Sequence, residues 1–310
     1  MKILFFSSSL CLVTFLFSCK NTGRHSQSGK KYQFGLHLTT GAKYYFNING
    51  ETVSKVSVRD KEVESTNQTD VGLIYEVVSS TADSIQIKLT YDQLHFKLKN
   101  KDGEKEIDAA NSGHTLDNLE NQLAAIKGST MNITLNKRGE ILNITGGKEI
   151  ADKLLATMNV QDATSQAQIR GQFSKFIGDD FVKDNLASQF KLFPDSAVAV
   201  GDTWQMKSML PAGIQGDAET KYTFDDLSDK QATIVSVSEI NNPDGKMSLM
   251  GTDVTMNTTG KQEGHFETDV TTGLLMNSQS TTTMEGNFQV MGKEIPVSIK
   301  VTRHITGKKM

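Results

Sequence analysis

Apolar residues at every second position dominate this chain, and that period restricts it to strands with one buried face. The pattern is strictest near the C-terminus, where Ile295, Val297, Ile299 and Val301 alternate with polar residues behind a hairpin turn at Met291-Gly292. It recurs at Tyr32, Phe34, Leu36 and Leu38, and after a turn at Thr40-Gly41 at Tyr44, Phe46 and Ile48. Asn49-Gly50 reads as the next turn, Val56 and Val58 as a more polar strand, and the stretch through Asn67 as a loop. Val71, Leu73, Tyr75 and Val77 then alternate, Ser79 to Asp83 turn the chain, and Ile85, Ile87, Leu89 and Tyr91 follow. Beyond Tyr91 the apolar parity flips to Leu94, Phe96 and Leu98. A bulge or tight turn at Asp92-Gln93 is required there, because a one-residue slip carries every later side chain to the opposite face.

Helical spacing interrupts the strands twice. Leu116, Leu119, Leu123 and Ile126 follow Thr115 as N-cap and stop at Gly128. Between residues 148 and 192 three helices are predicted. Ile150, Leu154, Leu155 and Met158 mark the first, Ile169, Phe173 and Phe176 the second, and Phe181, Leu186 and Phe190 a third, which starts near Asp179-Asp180 and ends before Pro194. A hairpin precedes them, with Met131, Ile133 and Leu135, a turn from Asn136 to Gly139, then Leu142 and Ile144. After them strands return at Trp204 and Met206, Tyr222 and Phe224, Ala232 to Ile240, Phe266 and Val270, Met276 to Met284, and Phe288 and Val290. Asn242-Pro243-Asp244-Gly245 reads as a turn.

The N-terminus sets the destination. Lys2 and an apolar run from Ile3 to Phe17 have the layout of a secretory signal, too short and wrongly flanked for a transmembrane helix. Leu16-Phe17-Ser18-Cys19 resembles a bacterial lipobox, so residues 1–18 are expected to be removed and Cys19 to carry a diacylglyceryl group. Cys11 lies in the discarded segment, so a mature chain has no thiol for a disulfide, a zinc site or a nucleophile. Lys and Arg number 33 against 36 Asp and Glu, spread along the chain, which leaves no nucleic-acid footprint.

A weak repeat suggests the domain organisation. Gly41-Ala42-Lys43-Tyr44-Tyr45-Phe46 resembles Gly201-Asp202-Thr203-Trp204-Gln205-Met206, and Thr134 to Gly139 corresponds to Asp269 to Gly273, in the same order. Residues 19–30 then form a polar tether, 31–147 a first β-rich half with one helix, 148–192 a helical connection and 193–310 a second β-rich half. The expected fold is mainly β with a few helices, built as a large antiparallel curved sheet, sheets or half-barrel.

Three stretches carry a family resemblance: Thr90-Tyr91-Asp92-Gln93-Leu94, Ile133 to Gly146 with Asn136-Lys137-Arg138-Gly139-Glu140, and Phe193-Pro194 leading to Val200-Gly201-Asp202-Thr203-Trp204. In these the chain resembles an uncharacterised family of envelope lipoproteins from Bacteroidetes-type bacteria, a domain of unknown function. The resemblance implies no reaction. Its pattern of long strands and few helices is similar to the half-barrels of lipoprotein carriers, a likeness of fold alone.

The chemistry-bearing residues have structural readings. Of the six histidines, His25, His37, His95, His114, His265 and His304, none forms a close pair, and His95 points away from the face of Leu94 and Phe96. Gly146-Gly147-Lys148 matches half of a phosphate loop, but Leu142 and Glu149 occupy positions that need a glycine and a hydroxyl, so a helix start is expected. Asp179-Asp180 suits a helix N-terminus better than a cation. Methionines cluster between residues 206 and 291, at Met206, Met209, Met247, Met250, Met256, Met276, Met284 and Met291. Pairs three apart face opposite sides of a strand, which argues against copper. Met206, Met247, Met256, Met276 and Met284 are instead assigned to a deformable apolar ligand wall, with core packing as the plainer alternative. Asp83-Ser84-Ile85 and Asp195-Ser196-Ala197 match the O-glycosylation pattern of such bacteria at Ser84 and Ser196.

The expected protein is therefore non-enzymatic, without metal or cofactor, and lipid-anchored in the bacterial cell envelope, at the outer membrane facing the periplasm. It binds a lipophilic ligand or an apolar segment in a concave sheet. The alternative is a structural or interaction subunit of an envelope assembly.

Overall fold

The computed structural model describes residues 29–58, 61–111, 118–158, 160–211, 214–249, 252–290 and 292–310. The signal segment with Leu16, Phe17, Ser18 and Cys19, most of the tether, His25, His114, Thr115, Leu116, Met250 and Met291 lie outside the described residues, as do the side chains of Met247, Phe173, Phe176 and Phe181. In chain order come strands β1 (Lys43–Val58), β2 (Lys61–Ser80), β3 (Ser84–Asn100) and β4 (Gly103–Asp108), then helix α1 (Asn118–Ile126). The hairpin β5 (Thr130–Asn136) and β6 (Ile141–Thr145) leads into helices α2 (Gly147–Thr157), α3 (Ala163–Ile177) and α4 (Asp179–Phe190). Strands β7 (Thr203–Met209), β8 (Ile214–Gln215), β9 (Asp217–Ser228), β10 (Gln231–Leu249), β11 (Thr252–Asp269), β12 (Leu275–Val290) and β13 (Lys293–Lys309) complete the chain.

All these strands form one antiparallel sheet, ordered β6-β5-β3-β2-β1-β13-β12-β11-β10-β9-β7, with β4 beside β3 and β8 beside β10. The first and last long strands pair in its middle, from Tyr44 opposite Lys309 to Val56 opposite Val297. The two ends of the sheet do not pair with each other, yet they share a core. Ile133 of β5 and Ile144 of β6 lie in the same buried cluster as Phe224 of β9 and Ile234 of β10. Only a strongly curved sheet brings its ends to one core, and α4 packs against both edge strands, β6 and β7. Glycines admit the bend. A Cβ on Gly260 or Gly286 would overlap the backbone of the neighbouring strand at Thr283 or Asn257.

The parity flip is a bulge. Gly72 faces Gln93 and Leu73 faces Tyr91, so Asp92 is the extra residue that returns Leu94 to the buried face. The three helices after Gly146 form where the spacing predicts them. Five local expectations are corrected. Residues 31–42 alternate in burial but form no strand; Tyr32 makes an isolated bridge to Val198, and the segment instead crosses two hairpin tips, with Leu36 N–H donating to Lys137 O at 2.7 Å and His37 N–H to Thr272 O at 2.9 Å. Asn49-Gly50 is not a turn, because β1 is paired there on both sides, to Asp70 and Thr69 and to His304 and Arg303. Asn67 likewise lies inside β2 rather than in a loop. Asn242 to Gly245 form a bulge within β10, and Pro243, lacking an N–H, sits where β10 has no partner between the end of the β9 pairing at Ser238 and the start of the β8 pairing at Lys246. A smaller bulge beside Leu135 leaves Leu142 exposed, with Ile141 taking its place in the register.

Candidate functional site on the concave face

One row of cross-strand partners runs over the inner face of the sheet through Trp204, Tyr222, Ser236, Gly264, Ser280, Arg303, Gly50, Thr69 and Phe96. Aromatic rings stand at its ends, and the middle is small except for one arginine. Ile305, two residues beyond Arg303 on the same face, belongs to the large apolar cluster, and Ile299 belongs to a second cluster with Met256, Met284, Phe288 and Val297. The row is thus a seam between two packed regions. Its central members, Gly264, Ser280, Arg303, Gly50 and Thr69, all keep part of their surface accessible, whereas Ile305 and Ile299 are buried.

Arg303 is the anomaly of this seam. Among the described residues no carboxylate pairs with it, and burial lowers its guanidinium below the usual arginine range, opposed only by the Tyr75 phenol. Tyr75 is 1% exposed and donates its hydroxyl hydrogen to Gln189 Oε1 of α4 at 2.8 Å. Gln189 is 4% exposed, and its Nε2 has no hydrogen-bond partner. A buried donor left open costs about 1–3 kcal/mol, so the unfilled Gln189 amide is a costly arrangement. Burial also raises the phenols, Tyr91 up to about 12 and Tyr75 further, the latter with help from Tyr91 and against the pull of Arg303. Both tyrosines therefore stay neutral at physiological pH and act as hydrogen-bonding groups rather than charges.

A second polar track crosses the same face. Ser208 Oγ lies 2.6 Å from Thr220 Oγ1, which lies 2.7 Å from Ser238 Oγ, and the Oε1 of Gln262, opposite Ser238, is buried without a partner. Hydroxyls and an amide thus interrupt what would otherwise be a continuous apolar lining. Among the described residues no group of three or more His, Cys, Asp or Glu converges to hold a metal ion.

The fold and this face stand beside three comparisons. A model of a family of unknown function, DUF6263, matches residues 82–275, more than half of the chain. The chain belongs to this family. A sequence search of curated proteins finds no match. Among solved structures, one on lipid–protein interactions in lipovitellin aligns with 88% of this DUF6263 chain at 11% identity and a TM-score of 0.47. The chain spans 25% of that lipovitellin chain. An outer membrane channel from Pseudomonas putida F1 aligns with 88% of this chain and 97% of its own at 7% identity and a TM-score of 0.21. At such scores neither likeness bears on what this chain binds.

The residues singled out in the sequence of this DUF6263 member are placed as follows. Met206 and Met276 pack at the margin of the large cluster, Met256 and Met284 are buried in the second, and Met247 stands in β10 opposite Ile214. The four whose side chains are described are therefore divided between two regions. Met209 is 42% exposed. Ser196 is exposed in the loop before β7, while Ser84 opens β3 with its Oγ 3.2 Å from Thr81 Oγ1. His95 lies on the outer face, 2.8 Å from Glu106, and His265 sits 3.5 Å from Glu267. Asp179 accepts the Gly147 N–H at 2.8 Å, so this carboxylate caps α2 across space while starting α4. Sequence reasoning missed Arg303 and Gln189. The signal for Arg303 was available: it is a charge in phase with Val297, Ile299, Val301 and Ile305, where the alternation calls for an apolar residue.

Proposed function

We propose that this protein is a membrane-anchored lipoprotein of the cell envelope of Bacteroidetes-type bacteria, and that its concave face binds a lipophilic ligand or an apolar segment without catalysing a reaction. The observation that supports this is the seam of small, part-accessible residues between two apolar clusters on the inner side of a sheet that curves without closing. The anchor rests on Leu16-Phe17-Ser18-Cys19, and the absence of acidic residues just after Cys19 favours an anchor facing the periplasm over surface export. No helix among the described residues is long and apolar enough to cross a membrane.

Solvent extraction of the washed, purified chain followed by mass spectrometry tests the binding. The expected result is a bound amphiphile, and a clean extract together with no uptake of apolar dyes ends the carrier reading. Cys19→Ser tests the anchor separately. It should leave the protein uncleaved or in the soluble fraction, and unchanged membrane attachment removes that premise. A second reading, a subunit of an envelope assembly, draws on β7, whose outer edge has no strand beside it among the described residues. Crosslinking in cells would then trap a protein partner along Thr203–Met209.

A further inference from the structure

The outer face of the sheet carries a polar groove across its middle strands. His304, Asn49, Asp70 and His95 are successive cross-strand partners over β13, β1, β2 and β3, and Thr302, Glu51 and Gln68 stand in the row beside them. These side chains line a depression of about 420 Å³, which continues past Glu51 and Gln68 into a second of about 290 Å³ at Lys97 and Lys99. No Val, Leu, Ile, Met, Phe, Tyr or Trp lines either one. His304 and His95 lie three inter-strand steps apart, roughly 14 Å at the usual strand spacing. The polar groups are tied to one another. Asn47 Nδ2 donates to Asp70 Oδ1 at 2.6 Å, and Gln93 Nε2 donates to Asp70 Oδ2 at 2.9 Å. Asn49 Nδ2 donates to Asn47 Oδ1, and Gln68 Nε2 donates to Glu51 Oε2 at 2.8 Å. Such bonds fix amide and carboxylate planes that a merely solvated strand face leaves mobile, so the rotamer entropy is already lost before a ligand arrives. The carboxylates keep further lone pairs open, and among the described residues His304 has no hydrogen-bond partner.

We propose that this groove binds a neutral oligosaccharide. The inference does not rest on the concave-face reading, since it concerns the opposite side of the sheet. The lining selects the class. An acyl chain or an apolar peptide finds no apolar surface there, an anion meets Glu51 and Asp70, and a cation meets Lys97 and Lys99. Among the described residues no group of three or more His, Cys, Asp or Glu gathers to hold a metal ion. A sugar hydroxyl donates and accepts through one oxygen, so neighbouring hydroxyls give hydrogens to Asp70 and Glu51 and take them from Thr302 and His304. The bonds to the two carboxylates are the stronger ones, being charge-assisted. Their positions are set by paired strands rather than by loops, which holds the pattern of donors and acceptors in place.

The experiment applies the full chain, purified in a sugar-free detergent, to a printed array of neutral, sulfated and sialylated glycans, and measures the affinity of each hit by titration calorimetry beside Asp70→Ala, His304→Ala and His265→Ala. Wild type should bind neutral oligosaccharides. Asp70→Ala should weaken that binding at least about tenfold, the effect expected for lost bonds to a charged group, and His304→Ala about fivefold. His304→Ala should melt as the wild type does, because the imidazole has no protein partner to lose, so its loss of affinity is readable even where Asp70→Ala folds poorly. His265, on the same face two strands from His304 and outside the groove, serves as the control, and His265→Ala should bind as wild type. A silent array overturns the proposal. Signal confined to sulfated or sialylated glycans overturns it too, since Lys97 and Lys99 would then act as a simple basic patch. Equal affinity of wild type and His304→Ala does the same, and none of these outcomes bears on the concave face.

Discussion

Gly139, at the tip of the β5–β6 turn, meets the carbonyl oxygen of Phe190 so closely that a Cβ would overlap it. Its φ of +84° adds a second reason for glycine. The contact seats the last turn of α4 on the hairpin, where Lys191 also pairs with Glu140. Gly139→Ala should therefore cost about 2–4 kcal/mol, combining left-handed strain with the displacement of the helix end. The urea midpoint of the purified variant measures it, and a midpoint equal to wild type would show that the helix is held elsewhere.

Asp92 is the residue of β3 whose removal should restore regular pairing beside Gly72 and Leu73. Without it Tyr91 and Leu94 stand two apart and continue the same inward face. Deleting Asp92 should cost less than about 1–2 kcal/mol, whereas deleting Lys88 turns Leu89 and Tyr91 outward relative to Ile85 and Ile87 and should abolish folding. Circular dichroism and thermal melting of the two deletions decide it; comparable damage in both would contradict the bulge assignment.

Alkaline stability should report on the buried phenols. Tyr91 is raised to about 12 by burial, and a group raised in the folded state favours its protonated form there. Its stabilisation is complete below the ordinary value of 10.0 and is lost as pH climbs towards 12. Wild-type stability should fall across that window, and Tyr91→Phe should fall less steeply. Parallel slopes would place the responsible group elsewhere.

Phe34 stacks on Phe193 with centroids 3.6 Å apart and meets Phe224 edge-on at 5.4 Å. Phe34→Ala should cost about 2–3 kcal/mol, less than for a fully buried ring because Phe34 is only partly buried. Limited proteolysis should then cut sooner within residues 29–42, and an unchanged cleavage rate would show that the strap is secured by its backbone bonds alone.

What could be read from the sequence was what local period determines. Strand faces, the Asp92 bulge and the three helices after Gly146 follow from spacing, because burial repeats with the geometry of each element. The failures share a cause. Asn49-Gly50 and Asn242-Pro243-Asp244-Gly245 have turn chemistry, but neighbours distant in sequence hold both within long strands: β2 and β13 flank the first, and β11 pairs through the second. Residues 31–42 have strand alternation without a strand, since their apolar side is buried by crossing the hairpin tips at Lys137 and Thr272. The paired glycines of the repeat have matching geometry, Gly139 and Gly273 at φ of +84° and +76°, and Gly41 and Gly201 at +84° and +96°. In the candidate site, the Tyr75–Gln189 contact joins residues 114 apart, a pairing no local pattern encodes.

The pairing of β1 with β13 has a consequence for the order of events in the cell. The sheet's midline joins the first long strand to the 17-residue β13, so it cannot be completed until β13 has been synthesised. Contacts of that sequence separation close slowly. The same delay exposes long unpaired strands to aggregation. Moving the chain ends by circular permutation, so that β13 leads directly into β1, should make the midline a local hairpin and speed refolding.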